Sequence, residues 1–515
     1  MLDTLTRSAS RVRQTRIATD RSSIIMTLTV LAFATIPVLP HLFDDLFTPD
    51  ESLLLVYPQR IISGQWPNRD FFTGYGPGQF WLLAGIYKIF GVSVVAERLM
   101  GWLLHIAIAF GVIRIVWPRG RFVAGAAGCV SAFILAFLGL PAFAWLGALS
   151  LAIWSIAIMA GKRTRGSSVA AGLMVGLVFA VRPEFGPVVI ACQLPLMWRS
   201  RFKTSWLLGF GLGAVPVVIH LAVAGPEFVK NFFFTMHVAS AGGAVPPTVP
   251  ATLRVALFTL VASALALVWT VARERDPNLI AATLLSILIL PQAFQRTDLT
   301  HIAYVGCFIW PMWFSIVFSR SAFARGVVHR YGAKWLRQCL SVAAVILIGA
   351  NLTMVVASWR TTVWLNHLDK SLPLTGATAL QQTRSLIAAT NQNVRPGGRI
   401  FVGAVDMSVL NYSPMYLYFL LPEYRPAGYY LELPGGFDGV GKALSKDIRG
   451  ADALLLSDTP KLQQSLYRSG SRGSSEANDA VAIYFCPVGK YPVGIEDDLL
   501  LYVRCRTYAR IAPES

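Results

Sequence analysis

Apolar runs of roughly 18 or more residues recur in this chain from Ser23 onward, and such a run is long enough to cross the hydrocarbon of a bilayer. No water is available there, so each run must satisfy its own backbone by forming a helix. A chain of 515 residues would otherwise suggest several soluble domains. With 55% hydrophobic and only 14% charged residues, it reads instead as mostly embedded in membrane. The expected spans are 23–43, 94–117, 122–140, 142–161, 167–182, 186–198, 205–224, 251–272, 279–295, 302–319 and 339–358, about eleven transmembrane helices in all. Residues 1–22 form a tail carrying Arg7, Arg11, Arg13, Arg16 and Arg21. The first span has no small-residue cleavage site after it, so it is expected to stay as an anchor.

The formal charge of +18 is placed where a membrane topology would put it. Up to Ser358 there are 29 Lys+Arg against 13 Asp+Glu, and after it 16 against 14. Segments 1–22, 118–121, 162–166, 199–203, 273–278 and 320–338 hold 20 basic residues in 61, whereas the alternate segments hold 6 in 93. This bias predicts a cytoplasmic N-terminus. It also supports the two short spans 167–182 and 186–198, because both of their outer flanks are basic. An odd number of spans then leaves the C-terminal segment outside the cytoplasm, in a plasma (inner) membrane protein that crosses many times. No Arg-rich patch interleaved with aromatics lies outside the helices, so no nucleic-acid partner is expected.

The division read from this is a cytoplasmic tail (1–22), a transmembrane domain (23–358) with a large first outer loop (44–93), and an extracytoplasmic α/β domain (359–515). In the last, Arg395-Pro-Gly-Gly and Pro434-Gly-Gly mark turns. Arg399–Val405, Ala453–Leu456, Ala480–Phe485 and Leu499–Val503 read as strands, and 469–478 as a Ser/Gly-rich loop. Cys486 and Cys505 lie in this segment, where an oxidising compartment allows a disulfide. There is no CxxC pair and hence no zinc signature.

Nine acids fall in segments placed on the outer side, and five of them crowd into the first loop: Asp44, Asp45, Asp50, Glu51 and Asp70. Ionisable groups beside membrane helices are costly and tend to mark sites. Carboxylates at a low-dielectric boundary gain proton affinity, which suits a general base. The plain alternative is a solvated acidic loop. The same loop carries an apolar stripe (Leu53, Leu54, Val56, Tyr57, Ile61, Ile62), expected as a helix lying in the interface. Trp66, Phe71, Phe72, Tyr75, Phe80 and Trp81 are expected as headgroup-level anchors.

An Asp-Glu just after the first helix, a juxtamembrane helix, a Gly-x-Trp-Pro-x-x-Asp turn, a Gly-Pro-rich stretch, Lys88-Ile-Phe-Gly and an Arg opening the second span resemble the GT-C superfamily of membrane glycosyltransferases, which includes protein O-mannosyltransferases and aminoarabinose transferases. The resemblance implies a sugar donor on a polyprenyl phosphate, inversion at the anomeric carbon and a first-loop Asp as base. By position that Asp is Asp50, with Asp44 and Asp45 as rivals; Glu51 orients the acceptor or shares the proton. Asp70 contacts a substrate or shapes the turn. The sequence departs from the lipid A enzymes at Tyr75-Gly-Pro-Gly-Gln-Phe, where they carry a double-Pro element, which leaves the acceptor open among glycan, lipid and protein.

The leaving phosphate needs cations at the interface. Outer-side candidates include Arg98, Arg182 beside Glu184 in Val181-Arg-Pro-Glu, and Arg296 with Asp298 and His301 in Gln295-Arg-Thr-Asp-Leu-Thr-His. The alternative for each is a salt bridge between helix ends. With Tyr75 and Asp70 they make up the expected substrate-binding set. Clustered carboxylates can hold a divalent metal, but the resemblance implies a reaction without one, so no metal or other cofactor is expected. Competing readings are a transporter or flippase of a lipid-linked sugar, and a non-catalytic subunit of envelope assembly. No internal repeat of the kind transporters carry is evident.

Overall fold

An apolar run in hydrocarbon satisfies its backbone by forming a helix, and among the described residues the apolar runs do form helices. The computed structural model describes residues 23–46, 49–198, 200–235, 250–295, 298–320, 356, 360–408, 413–432, 438–458, 474–492 and 498–505. The helices used below are α1 (Ser23–Val38), α2 (Pro49–Ile62), α3 (Gly78–Phe90), α4 (Val94–Val116), α5 (Arg121–Ala136), α6 (Ala144–Ala160), α7 (Arg165–Val181), α8 (Phe185–Trp198), α9 (Lys203–Ala224), α10 (Ala251–Glu274), α11 (Pro277–Ile289) and α12 (Leu299–Arg320). Among the described residues, five helices are long and apolar enough to cross a membrane: α4, α9, α10, α11 with its extension to Phe294, and α12. Five more, α1 and α5 to α8, are apolar but shorter. The expected span 339–358 lies almost wholly outside the described residues.

Small residues set the closest helix contact. Gly172 and Gly176 of α7 face Gly209 and Gly213 of α9, and a Cβ on any of them would come within 2.0–2.4 Å of a carbonyl oxygen on the other helix. Two GxxxG faces therefore let the backbones touch, the usual device where no hydrophobic force draws helices together.

The first loop differs from the expected interfacial arrangement. Helix α2 is present, but Leu53, Leu54, Leu55, Val56 and Tyr57 are all at most 5% exposed, so protein surrounds the helix. Phe71, Phe72 and Phe80 are likewise buried and do not form a headgroup belt. Tyr57 packs on Phe71 and Phe80 with ring centroids 4.9 and 5.1 Å apart. The element that does expose apolar side chains is α3, through Leu82, Ile89 and Phe90.

The C-terminal segment opens with a hairpin of β1 (Thr362–His367) and β2 (Lys370–Thr375), then α13 (Ala377–Asn393). A five-stranded mixed sheet follows, built from β3 (Arg399–Ala404), β4 (Arg425–Pro426), β5 (Ala453–Asp458), β6 (Phe485–Pro492) and β7 (Asp498–Arg504) in the order β4-β3-β5-β7-β6. The pairs β3–β4 and β3–β5 are parallel, whereas β5–β7 and β6–β7 are antiparallel. The expected strand 480–485 is instead the end of a helix, Glu476–Tyr484, and β6 starts where it stops. That helix also takes up 476–478 of the expected Ser/Gly loop. Its first turn is fastened by Ser474, which accepts from the Glu476 N–H, and by Ser475, which donates to Asp479. Cys486 on β6 and Cys505 just beyond β7 are disulfide-bonded, with Cα atoms 5.2 Å apart.

Among the described residues, the first loop and its flanks carry contacts between the two parts. Tyr57 bonds Glu432, the Phe72 N–H bonds the Tyr429 carbonyl, and Phe43 meets Trp364. The Arg119–Glu274 pair joins α10 to the turn after α4.

Candidate active site

The first loop reaches the bundle through contacts that only glycine allows. A Cβ at Gly76 would sit 2.4 Å from the Ala180 oxygen and 2.7 Å from that of Val181; at Gly78 it would sit 2.9 Å from the Ala180 carbonyl. The Tyr75-Gly-Pro-Gly stretch therefore lies directly on the last turn of α7, just before Arg182. The result is a Tyr75 ring 5.7 Å from the Arg182 guanidinium. Gly76→Ala must push the loop off α7. It should cost about 1–3 kcal/mol of stability and lower turnover roughly tenfold or more by displacing the site. The checks are the unfolding midpoint in detergent and the turnover. Gly85→Ala, whose Cβ would meet open space, is the silent control.

The Gly-x-Trp-Pro-x-x-Asp turn is a structural knot. Gly64 has φ +88° and Asn68 has φ +60°. The Asn68 amide donates to the Thr73 carbonyl, and its oxygen meets His220 Nε2 at 3.1 Å. Trp66 Nε1 donates to the other His220 nitrogen. Tyr429 donates to the Asn68 carbonyl, linking the C-terminal segment to the same turn. Asp70 accepts from the Trp66 N–H at 2.6 Å and pairs with Arg69 at 2.7 Å. The Arg69 bond holds its carboxyl below the usual range. Asp70 thus shapes the turn.

Glu51 and Arg98, both expected near substrate, pair with each other. Both are at most 1% exposed, and Arg98 Nε donates to Glu51 Oε1 at 2.7 Å and Nη2 to Oε2 at 3.2 Å. The remaining Arg98 donors hold the carbonyls of Asp44 and Asp45, at 2.7 and 2.9 Å. Glu97, fully buried, takes the Ala142 N–H and meets Glu51. Arg98 therefore clasps the loop to α4. Asp44 pairs with His41 at 3.1 Å. Asp45 bonds Thr375 at the end of the hairpin, and burial raises its carboxyl.

The other candidates converge on Tyr304 of α12. Its buried hydroxyl lies within electrostatic reach of Asp50, Tyr75, Arg182 and Asp298. Arg182 pairs with Glu184 and lies over the Trp145 ring at 5.2 Å as well as over Tyr75. Asp298 caps the start of α12, accepting from the His301 N–H at 2.8 Å and meeting its ring nitrogen at 2.8 Å. The His301 ring is 5.8 Å from that of Tyr304. Arg296 lies outside the described residues. The C-terminal segment adds Glu432, which accepts from Tyr57 at 2.6 Å and from the Gly74 N–H, and whose carboxyl feels the charge of Asp50. Burial pushes Glu432 up to about 7.

One carboxylate in the first turn of α2, one guanidinium on an aromatic platform and a paired His–Asp thus lie within electrostatic reach of a single tyrosine. The arrangement offers a proton acceptor, a cation for a leaving anion and flat rings for a sugar. No group of three or more His, Cys, Asp or Glu converges as metal ligands among the described residues. Tyr304, Trp145 and Glu432 were missed from sequence. Tyr304 is spaced three residues beyond His301, itself three beyond Asp298, a signal that one helix face carries all three.

Neither a protein-family model nor a curated protein matches the chain. Solved structures do. The apo ArnT of Cupriavidus metallidurans is 15% identical, with 96% of this chain and 100% of that one covered and a TM-score of 0.59. The same enzyme bound to undecaprenyl phosphate is 14% identical, with 95% and 99% covered and a TM-score of 0.55. The apo oligosaccharyltransferase of Archaeoglobus fulgidus is 11% identical, with 93% and 74% covered and a TM-score of 0.52. All are GT-C glycosyltransferases. The chain therefore shares the fold of these structures: its described residues are mostly helical, five of the helices are long and apolar enough to cross a membrane, and a sheet region follows them.

Proposed function

We propose that the chain is an inverting glycosyltransferase that moves a sugar from a polyprenyl-phosphate donor to a hydroxyl of an envelope glycan, lipid or protein at the outer face of the plasma membrane. The observation that carries this is that Asp50, Arg182 and Asp298 all lie within electrostatic reach of Tyr304, whose ring is 5.8 Å from that of the Asp298-paired His301. The undecaprenyl phosphate bound by ArnT, a protein of the same fold, supports the donor class.

In this reading Asp50 takes the acceptor's hydroxyl proton while that oxygen attacks the anomeric carbon from the face opposite the phosphate. The new carbon–oxygen bond forms as the bond to phosphate breaks, and the electron pair leaves with the phosphate. Arg182 neutralises the developing charge, oriented by Glu184 and by the Tyr75 and Trp145 rings. Asp298 fixes the His301 ring, which is then aimed to donate to the donor's phosphate or sugar oxygens.

The test uses purified protein in lipid with a polyprenyl-phosphate sugar labelled in the sugar. Release of free polyprenyl phosphate together with a new, inverted glycoside is expected. Movement of intact donor between leaflets, with the glycosidic bond unbroken, would overturn the reading in favour of a transporter.

A further inference from the structure

Two arginines are buried beside the first loop, and they are held differently. Arg98, 1% exposed, gives all three guanidinium nitrogens to Glu51 and to the carbonyls of Asp44 and Asp45. Arg60, in the last turn of α2, is 9% exposed and donates through Nε to Gln65 Oε1 at 2.6 Å. Its guanidinium carbon lies 5.1 Å from the centre of the Phe71 ring. Nη1 is buried and meets no acceptor among the described residues, and no carboxylate among them pairs with Arg60. Asp70, the acid whose charge reaches it, is already held by Arg69 and by the Trp66 N–H. A short helix of the C-terminal segment, Tyr416–Leu420, packs against α2. Arg60 thus lies at the seam between the first loop and that segment.

A buried guanidinium with no anion is costly. Were Arg60 needed only to fill the seam, an apolar side chain would serve better. Its place on α2 says which anion it suits. It is ten residues past Asp50, about 15 Å along the helix axis. The leaving phosphate is bonded to the carbon that the acceptor oxygen approaches within about 3.5 Å, and Arg182 is the cation assigned to it. We propose that Arg60 binds an oxyanion, a carboxylate or a phosphate, carried by the acceptor on a sugar unit remote from the hydroxyl that reacts. The planar fork of a guanidinium matches either group. The acceptor is then a glycan of more than one sugar, with an acidic or phosphorylated unit. That part rests on the transferase reading; the anion site itself does not.

The experiment is the unfolding midpoint of the full protein in one detergent, without donor. Inorganic phosphate or glucuronate is titrated in at constant ionic strength set with chloride, and glucose is the neutral control. At least one oxyanion should raise the midpoint by about 2 °C or more near saturation, and glucose should not. A rise with glucuronate alone marks an acidic sugar, and one with phosphate alone a phosphorylated sugar. Arg182→Gln should keep the rise, and Arg60→Lys, which keeps a cation, should keep part of it. Arg60→Met should abolish it. Without anion, Arg60→Met should melt within about 1 °C of the parent or above it, because the unpaired charge is gone. No rise, a rise lost in Arg182→Gln, or one that survives in Arg60→Met would mean an adventitious ion only and would overturn the proposal. So would a larger fall in anion-free Arg60→Met, or its failure to fold, because the guanidinium would then be a structural part of the seam. The readout needs no sugar transfer. An Arg60-dependent rise in a protein that moves intact donor would remove the transferase reading and leave the anion site standing.

Discussion

Asp50→Asn should lower transfer by roughly 10²–10⁴-fold, the usual contribution of a positioned base, with membrane insertion and unfolding midpoint unchanged. Asparagine matches aspartate in shape but cannot take a proton. The site is half-buried in the first turn of α2, where an amide is tolerated. The rivals give the contrast. Asp44→Asn and Asp45→Asn should each cost less than about tenfold, because one carboxylate is engaged by His41 and the other by Thr375. Asp50, Arg182 and Asp298 are the charged side chains with the largest effect on Tyr304. Turnover of the three variants against a labelled donor is the measurement. Near-normal turnover of Asp50→Asn, or a heavier loss at Asp45, would move the base elsewhere.

The spans were legible because a hydrocarbon solvent leaves the chain only one local solution. The described helices fall on the apolar runs, including the short α7 and α8. The first loop was legible in content but not in geometry. Its apolar residues announced α2, but periodicity does not tell a lipid face from a protein face, and the burial of Leu55 and Tyr57 depends on what covers them. Helix α3 went unread because Gly78–Phe90 follows a Gly-Pro turn and merges with the loop's other aromatics. The adjacent acids Asp50 and Glu51 could not be ranked without partners. A helix turns them about 100° apart, and Arg98, 47 residues away, decides which of the two is taken. Glu432 was hidden for the same reason: nothing within an aromatic run reveals that one of its acids will meet Tyr57. In the C-terminal sheet, β3, β5 and β7 showed as short apolar runs. The stretch 480–485 misled because Val481, Ile483 and Tyr484 are strand formers placed in a helix by the Ser474 and Ser475 bonds that open it.

Arg98→Leu should be the most damaging single change to stability, and its cost follows from what would be left behind. Arg98 is 1% exposed and gives its donors to both Glu51 oxygens and to the carbonyls of Asp44 and Asp45. Removing it strands the Glu51 charge, 0% exposed, beside a second buried carboxyl at Glu97. Breaking a buried pair in this way costs about 3–5 kcal/mol, more than the pair's net contribution, because an uncompensated charge stays buried. Glu51→Gln alone should cost less, since the amide keeps the shape and an acceptor for Arg98. The combination Glu51→Gln with Arg98→Leu should then be more stable than Arg98→Leu alone, as the stranded charge is gone. Unfolding midpoints of the parent protein and the three variants in one detergent close the cycle. Strictly additive losses would mean that the two side chains act separately. Activity gives a second reading of the same clasp. Arg98 holds the backbone of Asp44 and Asp45 five residues before Asp50 begins to act, so the double variant should recover stability without recovering turnover. A protein that regained both would show that the loop finds its place without the carbonyl bonds, and that the base is held from α2 alone.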